Sequence, residues 1–152
     1  MKKYLFILLV LNIWGCSSKK ITNIKNSSDN PSQMRIGFGS CLSQDKPMPI
    51  FNAIKSENFD LFLMMGDNVY GDSKTESLEE LATAYNRQRQ NFSKMKIDFP
   101  FEAIWDDHDY GLNDGGKDYS FKEKSKELFL DFWNIPSNDP RRTRSGLYHD
   151  VL

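Results

Sequence analysis

An α/β domain built on a central sheet is the fold class this sequence predicts, and three observations carry the prediction. Short apolar runs recur at 34–41, 60–67 and 99–107, and each ends in small, acidic or thiol residues. Between and after them stand segments with apolar residues at helical spacing, so strands and helices alternate. The strand ends also collect Cys, Asp, Asn, Tyr and His together. In open α/β sheets, ligands bind beyond the carboxyl ends of the strands.

The first thirty-three residues stand apart from that pattern. Met1-Lys2-Lys3 is a short basic start, and the apolar run "YLFILLVLNIW" ends at Gly15-Cys16. A bilayer span needs about 20 apolar residues, so this run is too short to cross, but it suits the core of a signal peptide. "IWGC" resembles a bacterial lipobox, which assigns residues 1–16 to a lipoprotein signal and makes Cys16 the lipidated residue. Residues 17–33, "SSKKITNIKNSSDNPSQ", are rich in Ser, Asn and Lys and read as a flexible tether. The expectation is an exported protein, lipid-anchored at the bacterial cell envelope. With Cys16 carrying lipid, Cys41 is the only other cysteine, which excludes an intrachain disulfide.

The folded part is expected over 34–152. "MRIGFGSC" begins as a strand and ends in a Gly-Ser turn. "PMPIFNAIKSENF" places Ile50, Phe51 and Ile54 at helical spacing, with Pro49 in a first turn. "DLFLMMGD" is a continuous apolar run of strand length, which predicts a strand buried on both faces. Residues 77–92 read as a helix, with Ser77 and Glu80 forming a capping box and Leu78, Leu81, Ala82 and Tyr85 its apolar side. "FPFEAIWDD" is a third short strand. "SFKEKSKELFLDFWNIP" is a further helix stopped by Pro136, and "GLYHDVL" reads as the start of another strand.

Composition narrows the function classes. Of 152 residues, 39% are hydrophobic and 27% charged, which is a globular balance rather than a disordered one. Twenty basic residues against twenty-one acidic ones give a net charge of −1. That leaves no basic excess to neutralise phosphates, so a nucleic-acid partner is not expected.

The chemistry gathers at three strand ends. The first offers Ser40 and Cys41, the second Asp67, Asn68, Tyr70 and Asp72. The third offers Asp106, Asp107, His108, Asp109, Asn113 and Asp114. Carboxylates crowded together repel unless a cation joins them. Oxygen donors suit hard cations such as calcium, whereas a thiolate with a phenolate suits a transition metal such as iron. An EF-hand does not account for "DHDYGLNDGGKD", because the sixth position is not Gly and the last is Asp rather than Glu. Asp72 and Asp109 read as supporting or turn residues and Asp106 as a supporting acid. His149, Trp105 and Trp133 read as structural, and Arg141, Arg142 and Arg144 as a solvated basic loop.

"GSC", "MGDNVYGD" and "WDDHDYGLNDGG", in this order and spacing, resemble the N-terminal half of PhoD-like alkaline phosphatases, within the calcineurin-like metallophosphoesterase superfamily. The resemblance covers about residues 34–152 and implies a layered αββα sandwich that hydrolyses phosphate mono- and diesters with ferric iron and calcium. The Asp-x-His usual at the superfamily's first strand is replaced by Ser-Cys, which matches Cys41 as a metal ligand. Asp67 matches the acid that bridges two metals, and Tyr70 the phenolate on iron. Asn113 matches the asparagine on the second metal, with Asp107 the competing choice. His108 matches the catalytic histidine that contacts the transferring phosphoryl group.

The family pattern continues with ligands from a second half, and no Gly-Asp-x-His motif follows Asn113. The expectation is therefore an incomplete sandwich with one apolar sheet face uncovered. Three functions follow from this reading: a working phosphatase or phosphodiesterase, an inactive metal-binding lipoprotein, or a surface-anchored module that binds through its sheet.

Overall fold

A computed structural model describes residues 33–150. The lipobox, Cys16 and nearly all of the tether lie outside the described residues. The chain divides at Gln33 and Met34, and the second unit holds the elements described below.

Three parallel strands form the sheet: β1 (Ile36–Gly39), β2 (Leu61–Met65) and β3 (Phe101–Ile104), in the spatial order β1-β2-β3. The register sets Gly39 beside Met64 and Met65 beside Ile104, so all three carboxyl ends reach one edge. Parallel neighbours need a crossover, and helices supply it. Helix α1 (Ile50–Lys55) joins β1 to β2, and α2 (Glu79–Met95) lies between β2 and β3. The short α3 (Asp107–Tyr110) follows β3 directly, and α4 (Lys122–Phe132) comes next. A 3₁₀ turn at Pro140–Arg142 is the last regular element among the described residues. The alternation read from the sequence is present as a mixed α/β fold.

The two faces of the sheet differ. Alternation along strands puts Gly37, Phe62, Met64, Phe101 and Ala103 on one face. Aromatic packing covers it: Phe92 of α2 stacks on Phe101, and Trp133 at the end of α4 meets both rings. Helix α1 joins this layer through Phe51 against Phe92. Gly37 is required here, because a Cβ would lie 2.6 Å from the Phe62 ring. The opposite face carries Ile36, Phe38, Leu63 and Met65, of which Phe38 is 77% and Met65 51% exposed. The apolar run of β2 thus predicts burial on both faces, but only one face is fully covered.

Two further expectations are corrected. Ser77 does not cap α2. The helix begins at Glu79 after Leu78 in left-handed backbone, Ser77 pairs with Thr75, and the Glu80 carboxylate accepts from Ser73 instead. Ser73 Oγ in turn accepts from the Leu81 N–H, so a buried serine four residues upstream does the work assigned to the cap. The strand expected from "GLYHDVL" is not formed over 146–150. That segment has no strand partner there, and it is tied down by side chains: Leu147 is buried in the core, and His149 bonds Glu102 at 2.8 Å.

Arg141 and Arg142 are not part of a solvated loop, whereas the Arg144 side chain reaches only the nearby Tyr148. The Arg141 side chain is 9% exposed and meets Asp139 and Glu102, while Arg142 pairs with Glu127 and Asp131. Both are occupied as structural cross-links. Trp105 and Trp133 pack against the core, as read. Among the described residues, no helix is long and apolar enough to cross a membrane.

Candidate metal centre at the carboxyl edge

Local backbone geometry builds this edge. Just beyond β1 and β2, Cys41 (φ 60°) and Asp67 (φ 50°) both adopt left-handed backbone, which non-glycine residues rarely take. Two hydrogen bonds cross between these turns, from the Cys41 N–H to Gly66 O and from the Leu42 N–H to Asp67 O. Gly66 has φ 98°, and a Cβ there would lie 2.5 Å from Asp106 Cβ. Only glycine lets the β2 turn approach the end of β3 this closely.

On the third strand, Asp106 caps α3. Its carboxylate accepts from the backbone of Asp109, and Asp109 returns an acceptor to the Asp106 N–H. This reciprocal box aims Asp107 and His108, the first two helical residues, at the neighbouring turns. The capping box thus lies here rather than at Ser77, and Asp106 and Asp109 have the same i, i+3 spacing.

The side chains then converge. Ligand atoms of Asp67, Asp107 and His108 lie within 4.8 Å of one another. Asp67 Oδ2 accepts from Tyr70 OH at 3.0 Å and from Cys41 Sγ at 3.6 Å. The Tyr70 and His108 rings pack at a centroid distance of 4.3 Å. Asp72 meets His108 Nδ1 at 2.7 Å, which fixes the imidazole plane and leaves Nε2 for chemistry. Of the expected residues, Asp67, Asp107 and His108 therefore converge, and Cys41 and Tyr70 join them through Asp67. Asn113 is not brought among them by any bond: it is exposed and donates to Asp114 at 2.8 Å. Asp114 instead donates its N–H to Asp107 Oδ2, so the loop after α3 is folded back by a backbone contact.

Electrostatics follow from this crowding. Burial raises the Tyr70 phenol well above its ordinary value, helped by its hydrogen bonds to Cys41 and Asp67 and their charges. Left to the protein alone, Tyr70 stays a neutral donor, and a phenolate there requires a cation. Burial opposes ionisation of both Asp107 and His108. For Asp107 this is outweighed by the Asp114 N–H and the nearby His108, so its carboxyl sits below the usual range. For His108 it is outweighed by Asp72, Asp67 and Asp107, so the imidazole sits above its usual value.

Beneath this centre lies a layer in which Asp109 takes the supporting place expected of it, while Gln44 and Gln88 have no counterpart among the expected site residues. Asp109 is fully buried and accepts from the Asn68 backbone and side chain, the Asp106 N–H and Tyr85 OH. Burial still pushes its carboxyl up to about 7 against these donors. Gln88, also fully buried, donates to Leu42 O and Asn68 O, tying the first two turns to α2. Gln44 clasps the Tyr70 backbone, donating to its carbonyl and accepting from its N–H. The signal for Gln88 was present: it is a polar residue on the stripe of Leu81, Ala84 and Tyr85.

Three buried side-chain atoms among the described residues lack a partner: Asp67 Oδ1, Asn68 Oδ1 and Trp133 Nε1. Buried polar atoms normally find one. Asp67 Oδ1 lies in a carboxylate whose other oxygen already faces a thiol and a phenol. Carboxylates and an imidazole in mutual reach, with a thiol and a phenol on the same Asp67, make a donor set that fits a transition-metal ion.

Fold and centre together define the class: an α/β protein with a polar, acid-rich centre at the carboxyl edge of a parallel sheet. No family model, curated protein or solved structure matches the chain.

Proposed function

We propose that this centre hydrolyses phosphate mono- or diesters, as in the PhoD-like phosphatases that the strand-end motifs resemble. One observation carries the reading: three separate strand ends bring Asp67, Asp107 and His108 within 4.8 Å of one another, with Cys41 and Tyr70 bonded to one Asp67 oxygen while the other is buried without a partner. Cys41, Asp67 and Tyr70 would hold iron, and Asp67 with Asp107 would face a second cation such as calcium. Asn113 is the alternative ligand there, once turned away from Asp114. When bound, such ions neutralise phosphoryl oxygens and acidify water.

The chain's own residues supply the rest. His108, held through Nδ1 by Asp72, is charged more readily than a free imidazole. From Nε2 it stabilises phosphoryl oxygens or gives a proton to the departing alkoxide. Gln44 and Gln88 fix the turns, so little reorganisation is left for the reaction. The layered αββα sandwich and the lipid-anchored location at the cell envelope belong to the same reading. Membrane attachment through Cys16 would present the centre to ester substrates outside the cytoplasm.

A second reading, a surface-anchored binding module, draws on the exposed Ile36, Phe38 and Met65 face. Metal analysis with hydrolysis of p-nitrophenyl phosphate and bis-p-nitrophenyl phosphate separates the two. Phosphatase function predicts iron in the purified full chain, its loss in Cys41→Ala, and turnover that falls by about 10²–10⁴ in His108→Ala with metal retained. Metal in the chain without turnover would leave the inactive metal-binding lipoprotein. Iron unaltered by Cys41→Ala would remove the ligand assignment, and absence of both metal and turnover would leave the binding module.

A further inference from the structure

Beside the centre opens a cleft of about 450 Å³ that the proposed chemistry does not use. Its wall runs from the end of β1 to the first residue of α1, with Leu42, Met48 and Ile50 as the apolar surface. Cys41 and Tyr70 line it too, and both touch Asp67, so the cleft is continuous with the centre. Among the described residues, no carboxylate lines it and Lys46 is its one charged group. The acid-rich centre and the cleft are therefore chemically unlike neighbours that share two side chains.

The wall is built to stay open. Pro47 and Pro49 flank Met48 and fix φ at two of its positions, which limits collapse before a ligand arrives. Ile50 is 58% exposed and stands outside the core cluster, so packing gives no reason for an isoleucine there. The volume falls within the range of about 300–1,000 Å³ typical of small-molecule sites.

We infer that the cleft receives the alcohol part of the phosphate ester, and that this part is a bulky apolar group, aryl or branched alkyl, rather than a sugar or glycerol. The inference rests on the phosphoryl centre proposed above. With phosphorus near Asp67, Asp107 and His108, an ester substituent directed past Cys41 and Tyr70 enters the cleft. There it replaces water along Leu42, Met48 and Ile50. Lys46 adds attraction for the substrate's negative charge at the rim.

Two non-hydrolysable compounds test this on the metal-loaded full chain: 1-naphthylphosphonate and methylphosphonate, titrated by NMR with methyl-labelled Ile and Met. The naphthyl compound should bind about tenfold tighter or more, from apolar area removed from water. The Ile50 and Met48 methyl signals should shift with it and not with methylphosphonate. In Ile50→Ser, whose side chain lies outside the core, the ratio of the two affinities should fall towards one. Equal affinities in the wild-type chain, or a ratio unmoved by Ile50→Ser, would overturn the cleft assignment and leave the phosphoryl centre standing. Binding of neither phosphonate would overturn the centre and the cleft together.

Discussion

Two layers of acid meet at the sheet edge, where Asp109 holds the Asn68 that follows Asp67, and they are finished differently. In the lower layer, Asp109 is buried, with its oxygens occupied by Asn68, Asp106 and Tyr85. In the upper layer, Asp67 shares one oxygen with a thiol and a phenol and leaves the other buried without a partner. The lower acid is satisfied by the protein; the upper one sits in left-handed backbone with one oxygen unpartnered. Buried polar groups complete within the fold contribute rigidity, whereas incomplete ones mark where a fold gives up stability for chemistry.

The comparison predicts opposite responses to mutation. Asp109→Ala should have the largest effect, because it strips partners from buried donors on three elements. A loss of about 3 kcal/mol in urea unfolding is expected; a cost near zero would erase the distinction between the layers. Gly66→Ala comes next, at about 2 kcal/mol, since it forces positive φ on alanine and drives Cβ into Asp106. It should also weaken metal binding, by parting Asp67 from Asp107.

Asp67→Gly should change unfolding free energy by less than about 1 kcal/mol in the absence of metal, because relief of the left-handed backbone offsets the lost hydrogen bonds. Metal content should nevertheless disappear. A large destabilisation here would show that Asp67 is structural after all.

The smallest effect concerns a third acid, bonded away from the sheet-edge centre and finished like the lower layer. Arg141, donating from its guanidinium and backbone, holds Asp139 well below the usual carboxylate range. A depressed carboxyl contributes stability that is present above its unfolded value and lost as pH falls. Thermal stability of the wild type should therefore decline as pH drops below about 4. In Asp139→Asn that part of the decline should be absent; identical pH profiles would show that the Arg141 contact contributes nothing.

Much of this molecule was legible along the chain. The three apolar runs became three strands, and their terminal residues did converge, because parallel strands in register must end at one edge. The helix from Lys122 to Phe132 was legible from its spacing and from Pro136. Misreadings came where a local pattern competed with a tertiary partner. Ser77 and Glu80 have capping-box spacing, but Glu80 found Ser73 and the helix started two residues later. Arg141 belongs to a basic run that looks solvated, yet Asp139 and Glu102 draw it under the surface.

What the sequence determined by itself is the alternation of strand and helix and the set of groups available at the edge. Periodicity and composition are local properties, and they survive without knowledge of partners. Which acid faces outward was decided only by the tertiary structure. Asp107, His108 and Asp109 are consecutive, and each step along α3 turns the side chain by about 100°. The Asp106 cap fixes the phase of that rotation, so Asp107 and His108 reach the centre while Asp109 enters the core.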